Sequence, residues 1–309
     1  MKRSFFQTAR RTALALSALT LATPFLLPAS AVVSPAAAQE TQKADTSRIV
    51  VIGGALTEIV YALGEQDRLI ARDTTSTFPE AAMSLPDVGY MRALSPEGVL
   101  GVNPSAILAI EGSGPPDALA VLKNAGVSFT TVPEGYDRAA ILDKIAKVGD
   151  FLGVPDKTKT LADEVGADLD TAIADAAKRP ESERKRVLFI LSFQDGKIMA
   201  AGAHTAADGI LKLAGAVNAT DAAFPGYKAM ADEAIADARP DAIMVMSRGG
   251  HDSSDEQLLA HPAIALTPAA ASKTIIRMNS LELLGFGPRT ATAIRDLNER
   301  LYGKANVSQ

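Results

Sequence analysis

The chain has 309 residues, with 31 basic and 36 acidic side chains, three histidines, no tryptophan and no cysteine. Without cysteine, disulfides, thiolate metal sites, cysteine-linked prosthetic groups and a lipid anchor on cysteine are all excluded. The formal net charge of −5 makes nucleic acid a poor partner.

Residues 1–38 read as a secretory signal peptide. Lys2, Arg3, Arg10 and Arg11 form a basic start, Thr12 to Leu27 is largely apolar, and Ala36-Ala37-Ala38 supplies small residues before Gln39. Pro24 and Pro28 interrupt the apolar run, which is short for a bilayer span, so a permanent anchor is disfavoured. Removing this segment takes away four basic side chains and leaves 27 basic against 36 acidic, a net charge of −9. The 271 residues that follow suffice for two modest domains. No later apolar stretch is long enough to cross a membrane. The expected product is exported, without stable membrane insertion, and monomeric.

Arg48–Ile52 predicts a buried strand closed by Gly53-Gly54, and Thr57–Leu63 a helix. Arg68–Arg72 predicts the next strand. Ile107–Ile110 follows Asn103-Pro104, Asp117–Asn124 is helical, and Val127–Val132 is a further strand. Short apolar strands alternating with helices predict a parallel α/β domain. Pro155–Lys178 then runs almost without breakers. Leu161, Val165, Leu169 and Ile173 recur every four residues opposite a charged face, which predicts one long amphipathic helix. Beyond it the pattern repeats: strands at Arg186–Leu191, Ala242–Met246 and Thr274–Arg277, and helices at Thr205–Leu213 and Pro288–Leu301. The phrases Asn103-Pro104-Ser105-Ala106-Ile107-Leu108 and Arg239-Pro240-Asp241-Ala242-Ile243-Met244 are similar. Each follows a helix whose first turn carries a glutamate, Glu97 or Glu233, which marks a weak internal repeat. The expected fold is therefore α/β: two Rossmann-like lobes with parallel-sheet cores joined by one long backbone helix. The expected division is 39–153 for the N-terminal lobe, 154–180 for the connecting helix and 181–309 for the C-terminal lobe. A helical rod lets the cleft between the lobes open only slightly.

The stretch Gly89-Tyr90-Met91-Arg92 sets a phenol and a guanidinium two residues apart just after a turn at Pro86-Asp87. Such a pair can grip an anion or a hard metal ion inside an anionic group. Taken alone, Tyr90 reads equally as a half-buried tyrosine bonded to backbone, and Arg92 as a surface ion-pair partner. His204 precedes a helix start, where it either caps the helix or faces a cleft. Arg248 and His251 follow a strand, where parallel α/β sheets place ligands. Tyr136 is a candidate cleft residue. His261 reads as an ordinary loop residue, and Met244 and Met246 read as core.

Order and spacing of several segments carry a more specific resemblance. These are Ile49-Val50-Val51-Ile52-Gly53-Gly54-Ala55-Leu56-Thr57-Glu58, Asp87-Val88-Gly89-Tyr90-Met91-Arg92, Leu94-Ser95-Pro96-Glu97, Ala201-Gly202-Ala203-His204-Thr205-Ala206-Ala207-Asp208 and Leu284-Gly285-Phe286-Gly287-Pro288-Arg289. From Arg48 to about Tyr302 the chain resembles the periplasmic substrate-binding proteins that have a single connecting helix and serve importers of haem, siderophores and cobalamin. Within that class it is most similar to the haem-binding proteins of bacterial haem ABC importers. The resemblance implies Tyr90 as axial ligand of a ferric haem b iron and Arg92 beside the ligand. It implies His204 facing the cleft from the second lobe, as an iron ligand, a propionate partner or a contact of a second haem. It implies Glu97 and Glu233 as docking contacts on the permease dimer of an importer with its ATPase, and a periplasmic location. A ferric siderophore or cobalamin carrier of the same class is the alternative. No complete nucleophile elbow, phosphate loop or zinc motif points to an enzyme. Three scattered histidines are a poor ligand set for a free metal ion.

Overall fold

The computed structural model describes residues 44–247 and 253–303. The expected signal peptide, Arg248 and His251 lie outside the described residues.

The first lobe is a four-stranded sheet of β1 (Ile49–Ile52), β2 (Leu69–Arg72), β3 (Ala106–Ile110) and β4 (Ser128–Val132), in the order β2-β1-β3-β4 and parallel throughout. Every residue of β1 and β3 is buried. Such continuous apolar runs belong to strands covered on both faces. Helices α1 (Gly54–Ala62), α2 (Pro96–Leu100), α3 (Pro116–Lys123) and α4 (Arg138–Leu152) complete this lobe. Helix α5 (Pro155–Ala177) follows as the connecting rod, 23 residues and about 35 Å long. It packs on α4 of the first lobe and on the C-terminal helix of the second.

The second lobe centres on β5 (Arg186–Gln194). Then come β6 (Lys197–Ala201), α6 (Ala206–Leu213), β7 (Val217–Asn218), β8 (Tyr227–Ala229), α7 (Asp232–Ala238) and β9 (Ala242–Ser247). Short helices α8 (Asp255–Leu259), α9 (Pro262–Ala265) and α10 (Pro268–Ser272) lead to β10 (Ile275–Asn279), α11 (Ser280–Leu284) and α12 (Thr290–Tyr302). The expected parallel core is present as β10-β9-β5, with β7 parallel to the start of β5. An antiparallel extension, β6 and β8, widens it on the other side of β5. The β5–β6 hairpin turns at Asp195 and Gly196, both with positive φ of 51° and 72°. That backbone suits the right-handed twist of a two-residue hairpin.

The internal repeat holds in the backbone. Ser105 precedes β3 and its amide donates to Arg48 O at 2.9 Å, while Asp241 precedes β9 and its amide donates to Arg186 O at 2.7 Å. The Ser105 hydroxyl accepts from the Arg48 amide, and the Asp241 carboxylate accepts from the Arg186 amide. Asn103 and Arg239 both take left-handed backbone, with φ of 52° and 43°.

The lobes also meet directly. The Lys144 side chain, from α4, is fully buried. It donates to Glu134 Oε1 at 2.7 Å and to the carbonyls of Gly285 and Phe286 at 3.3 and 3.2 Å in the second lobe. Glu58 of α1 accepts a two-pronged bond from Arg289 at 3.0 and 2.7 Å. Burial pushes the Glu58 carboxyl up, against the pull of Arg289. The same guanidinium stacks 3.7 Å from the ring centre of Phe78. Arg138 and Arg295 hold the rod from either side, pairing with Asp170 and Asp168 of α5. Among the described residues no helix is long and apolar enough to cross a membrane.

Candidate functional site

Sheet order reverses at β1, which has β2 on one side and β3 on the other. In such sheets the crevice opens above the carboxyl ends of the strands at this switch point. The segment carrying Tyr90 and Arg92 is fastened there at both ends. After β2, the Thr74 amide donates to Gly89 O at 3.0 Å, and the Asp87 carboxylate accepts from the Gly89 amide at 2.8 Å and from Arg72 at 3.1 Å. After β3, the Gly114 amide donates to Met91 O at 2.8 Å and the Leu94 amide to Gly114 O at 2.9 Å. Gly89 has φ of 101°, a backbone that only glycine adopts without strain. The buried Asp73 stiffens the neighbouring loop by accepting from the amides of Gly53 and Thr75 and the hydroxyls of Thr75 and Ser76. Met91 packs inward against the core, whereas Tyr90, 44% exposed, and Arg92 lie at the surface. Tyr90 and Arg92 therefore flank the inward Met91 on a fixed backbone, and both side chains lie at the surface.

Tyr136 is half-buried, just before α4, and its ring meets Phe286 of the second lobe at 5.3 Å between centroids. A Cβ on Gly209 of α6 would come within 2.6 Å of Tyr136 Cβ and its carbonyl oxygen, so this helix touches the first lobe at Tyr136. Burial, first, and the carboxylates of Glu134 and Glu111 push the Tyr136 phenol up, while Arg92 pulls it back.

His204 lies at the start of α6, with an exposed side chain and a left-handed φ of 59°. Thr205 caps the helix: its hydroxyl accepts from the Asp208 amide at 3.1 Å, and Asp208 returns a bond from the His204 amide at 3.1 Å. The helix cap is thus the Thr205 hydroxyl and not the His204 imidazole. The loop is stapled to the next strand by the Gly202 amide donating to Gly226 O and the Gly226 amide donating to Ala203 O, both at 2.8 Å. A Cβ at Gly202 would stand 1.9 Å from Phe224 O, so only glycine allows this approach.

Glu97 and Glu233 are exposed in the first turns of α2 and α7. Each stands six residues before the left-handed residue of its repeat, Asn103 or Arg239. Met244 and Met246 are buried core, as expected. His261 is buried rather than a plain loop residue: its Nε2 lies 3.0 Å from Gly196 O and its ring meets Phe193 edge-on. A cavity of about 230 Å³, lined by Phe193, Met246, Leu258 and Arg277 among others, lies in the second lobe and includes none of the described candidate residues. It falls short of the roughly 300–1,000 Å³ of small-molecule sites. Among the described residues no group of three or more His, Asp or Glu side chains is placed to hold a bare metal ion.

The sequence reading missed Tyr227, the first residue of β8. It pairs with Ala201 across the strands that carry the His204 loop. Its surface is 39% exposed, yet burial is the largest influence on its hydroxyl and pushes it up, joined by Tyr136. Arg92, the Thr205 side chain and the Ala207 amide pull it back. Arg92 thus acts on two phenols, one from each lobe.

A family model described as "Periplasmic binding protein" matches residues 49–281. The chain belongs to the periplasmic binding protein family. This periplasmic binding protein is a carrier rather than a catalyst, and its place is the periplasm. It superposes on the solved periplasmic haem-binding protein BhuT, in complex with two haems, at a TM-score of 0.78 and 40% identity over 82% of this chain and 97% of that one. The substrate-binding lipoprotein YvrC of Bacillus subtilis is 31% identical over 66% of this chain and 65% of its own length, just under two thirds of that protein. The vitamin B12-binding protein of Yersinia pseudotuberculosis is 26% identical over 72% of this chain and 77% of its own length.

Proposed function

We propose that this periplasmic binding protein captures ferric haem b between its lobes and delivers it to an ABC importer made of a permease dimer and its ATPase. The observation that carries the reading is the Tyr90-x-Arg92 turn, fastened across the switch-point crevice of a chain 40% identical to BhuT along nearly all of that protein. A phenolate is a hard oxygen donor suited to ferric iron, and tyrosine is a known axial ligand of haem. Tyr90 is the axial ligand and Arg92 its hydrogen-bonding or carboxylate-pairing neighbour. Tyr136 lines the cleft, and His204 offers an imidazole to iron or propionate from the second lobe. Arg248, outside the described residues, is a further contact after β9.

Capture and release require no covalent step. The rod α5 and the direct contacts between lobes limit opening, which suits a small rearrangement on docking. Glu97 and Glu233, at matching positions of the internal repeat, each face a permease subunit; exposed charges of this kind steer and orient transient association. The chain divides into a signal peptide at 1–38, lobes at 39–153 and 181–309, and the connecting segment at 154–180.

The 26% identity to a vitamin B12-binding protein favours cobalamin as the second reading. Titrating the purified protein with haem, cobalamin and a ferric siderophore separates them. The expected result is a shifted Soret band with haem that an excess of cobalamin or siderophore leaves unchanged. Tight binding of cobalamin or siderophore without a haem complex would overturn the proposal.

A further inference from the structure

We propose that Arg289 of the second lobe is a positioning residue for Tyr90. It clamps the loop Thr74–Phe78, that loop supports the Tyr90 turn, and parting the lobes therefore loosens the turn. The proposal rests on the haem reading above and adds a residue that acts on the cargo from a distance.

The outer end of the loop is held by the second lobe. Arg289 directly precedes α12. Its guanidinium forks onto Glu58 at 3.0 and 2.7 Å, which fixes its plane, and that plane stacks 3.7 Å from the centre of the Phe78 ring. Phe78 is 41% exposed, so little of the core holds its ring. Leu281 of α11 makes a second contact. A Cβ on Gly54 would stand 2.5 Å from a Leu281 methyl and 2.7 Å from Thr75 O, so both pack on the bare face of that glycine.

The inner end of the loop is held by the Tyr90 turn. The Thr74 amide donates to Gly89 O at 3.0 Å and the Thr74 hydroxyl to Asp87 Oδ1 at 3.1 Å. The Thr75 hydroxyl lies 4.0 Å from the sulfur of Met91, the residue between Tyr90 and Arg92. Between its ends the loop has no slack. The Thr75 hydroxyl donates to Asp73 at 2.7 Å and accepts from the Gly54 amide at 3.2 Å. The Ser76 hydroxyl donates to Asp73 at 2.8 Å and lies 2.7 Å from the Thr57 hydroxyl of α1.

The clamp crosses between lobes, whereas every other bond of the loop stays inside the first lobe. Separation of the lobes draws Arg289 and Leu281 away and leaves the Tyr90 turn with its own backbone bonds alone. By linkage, a ligand that prefers the fixed turn also favours the clamped arrangement. Docking that parts the lobes then speeds release without touching the residues on the cargo.

Haem release from the purified full-length protein to an excess of apomyoglobin tests this, read beside the iron–phenolate charge-transfer band. Substitutions along such a network change coupling by roughly 2–30-fold. Arg289→Met and Phe78→Ala are each expected to release haem about tenfold faster and to shift the band, while Phe78→Tyr, which keeps the stack, behaves as wild type. Phe78→Ala leaves the Arg289–Glu58 pair intact and carries the test if Arg289→Met does not fold. The double variant is expected to be no faster than either single one, because both cut the same relay. Additive effects, or faster release with an unshifted band, would overturn the relay and leave the haem carrier intact. A wild-type protein that forms no haem complex would refute the haem reading itself.

Discussion

Tyr90→Phe is expected to abolish the phenolate-to-iron charge-transfer band of the haem complex, shift its Soret band and weaken haem by about 100-fold or more. Loss of a group that only supports a metal ligand typically reduces affinity 10–100-fold, so loss of the ligand itself should do at least that. The phenylalanine ring keeps the stacking area and removes the only oxygen Tyr90 can offer. The fold should be indifferent. Tyr90 is 44% exposed, and the turn around it is held by backbone bonds of Gly89, Met91 and Leu94. Surface substitutions of this kind change stability by about 0.5 kcal/mol or less. Thermal melts and haem titrations on the same samples separate the two effects. An unchanged spectrum in Tyr90→Phe would remove Tyr90 from the iron.

Lys144→Met is expected to produce the largest loss of stability of any single substitution on the lobe interface, about 3–5 kcal/mol. Breaking a buried ion pair by deleting one partner leaves the other charge uncompensated, and that is the usual magnitude. Here the damage is wider, because Lys144 also donates to the carbonyls of Gly285 and Phe286. Phe286 has a left-handed φ of 50° and is 1% exposed, so its carbonyl has no water to turn to. For a protein of this size, that loss lowers the melting temperature by about 10 °C. Lys144→Met combined with Glu134→Gln should be less unstable than the sum of the two single changes, since the neutral amide no longer leaves a lone charge. Urea unfolding of the four proteins gives the coupling. A melting temperature for Lys144→Met within about 2 °C of wild type would show that the lobes are held together by other contacts.

Parts of this arrangement were legible in the sequence for clear reasons. β1 and β3 are unbroken apolar runs because helices cover both faces, and α5 shows a four-residue period because only one of its faces is packed. The Tyr90-x-Arg92 turn was legible because glycine, proline and aspartate mark it locally. The β6–β8 extension was not drawn from the sequence, although Asp195-Gly196 between two apolar stretches is a hairpin signal. Helix α4 was overlooked as well. In it Lys144 stands three residues after Ile141 and beside Ile145, on the buried face, a charge on an apolar stripe that could have announced a buried partner. Tyr227 had no comparable signal. Its strand is three exposed residues long, and its partner strand lies 26 residues upstream, so neither periodicity nor local turn chemistry marks it. Contacts between lobes, such as Glu58 with Arg289, join residues 231 apart and follow from the fold rather than from any local pattern.

The most direct measurement is a crystal structure of the haem complex. The account predicts haem lying between the lobes, with Tyr90 Oη bonded to iron and a propionate directed at Arg92. Haem bound elsewhere, or iron ligated by other groups while Tyr90 stays free, would contradict it.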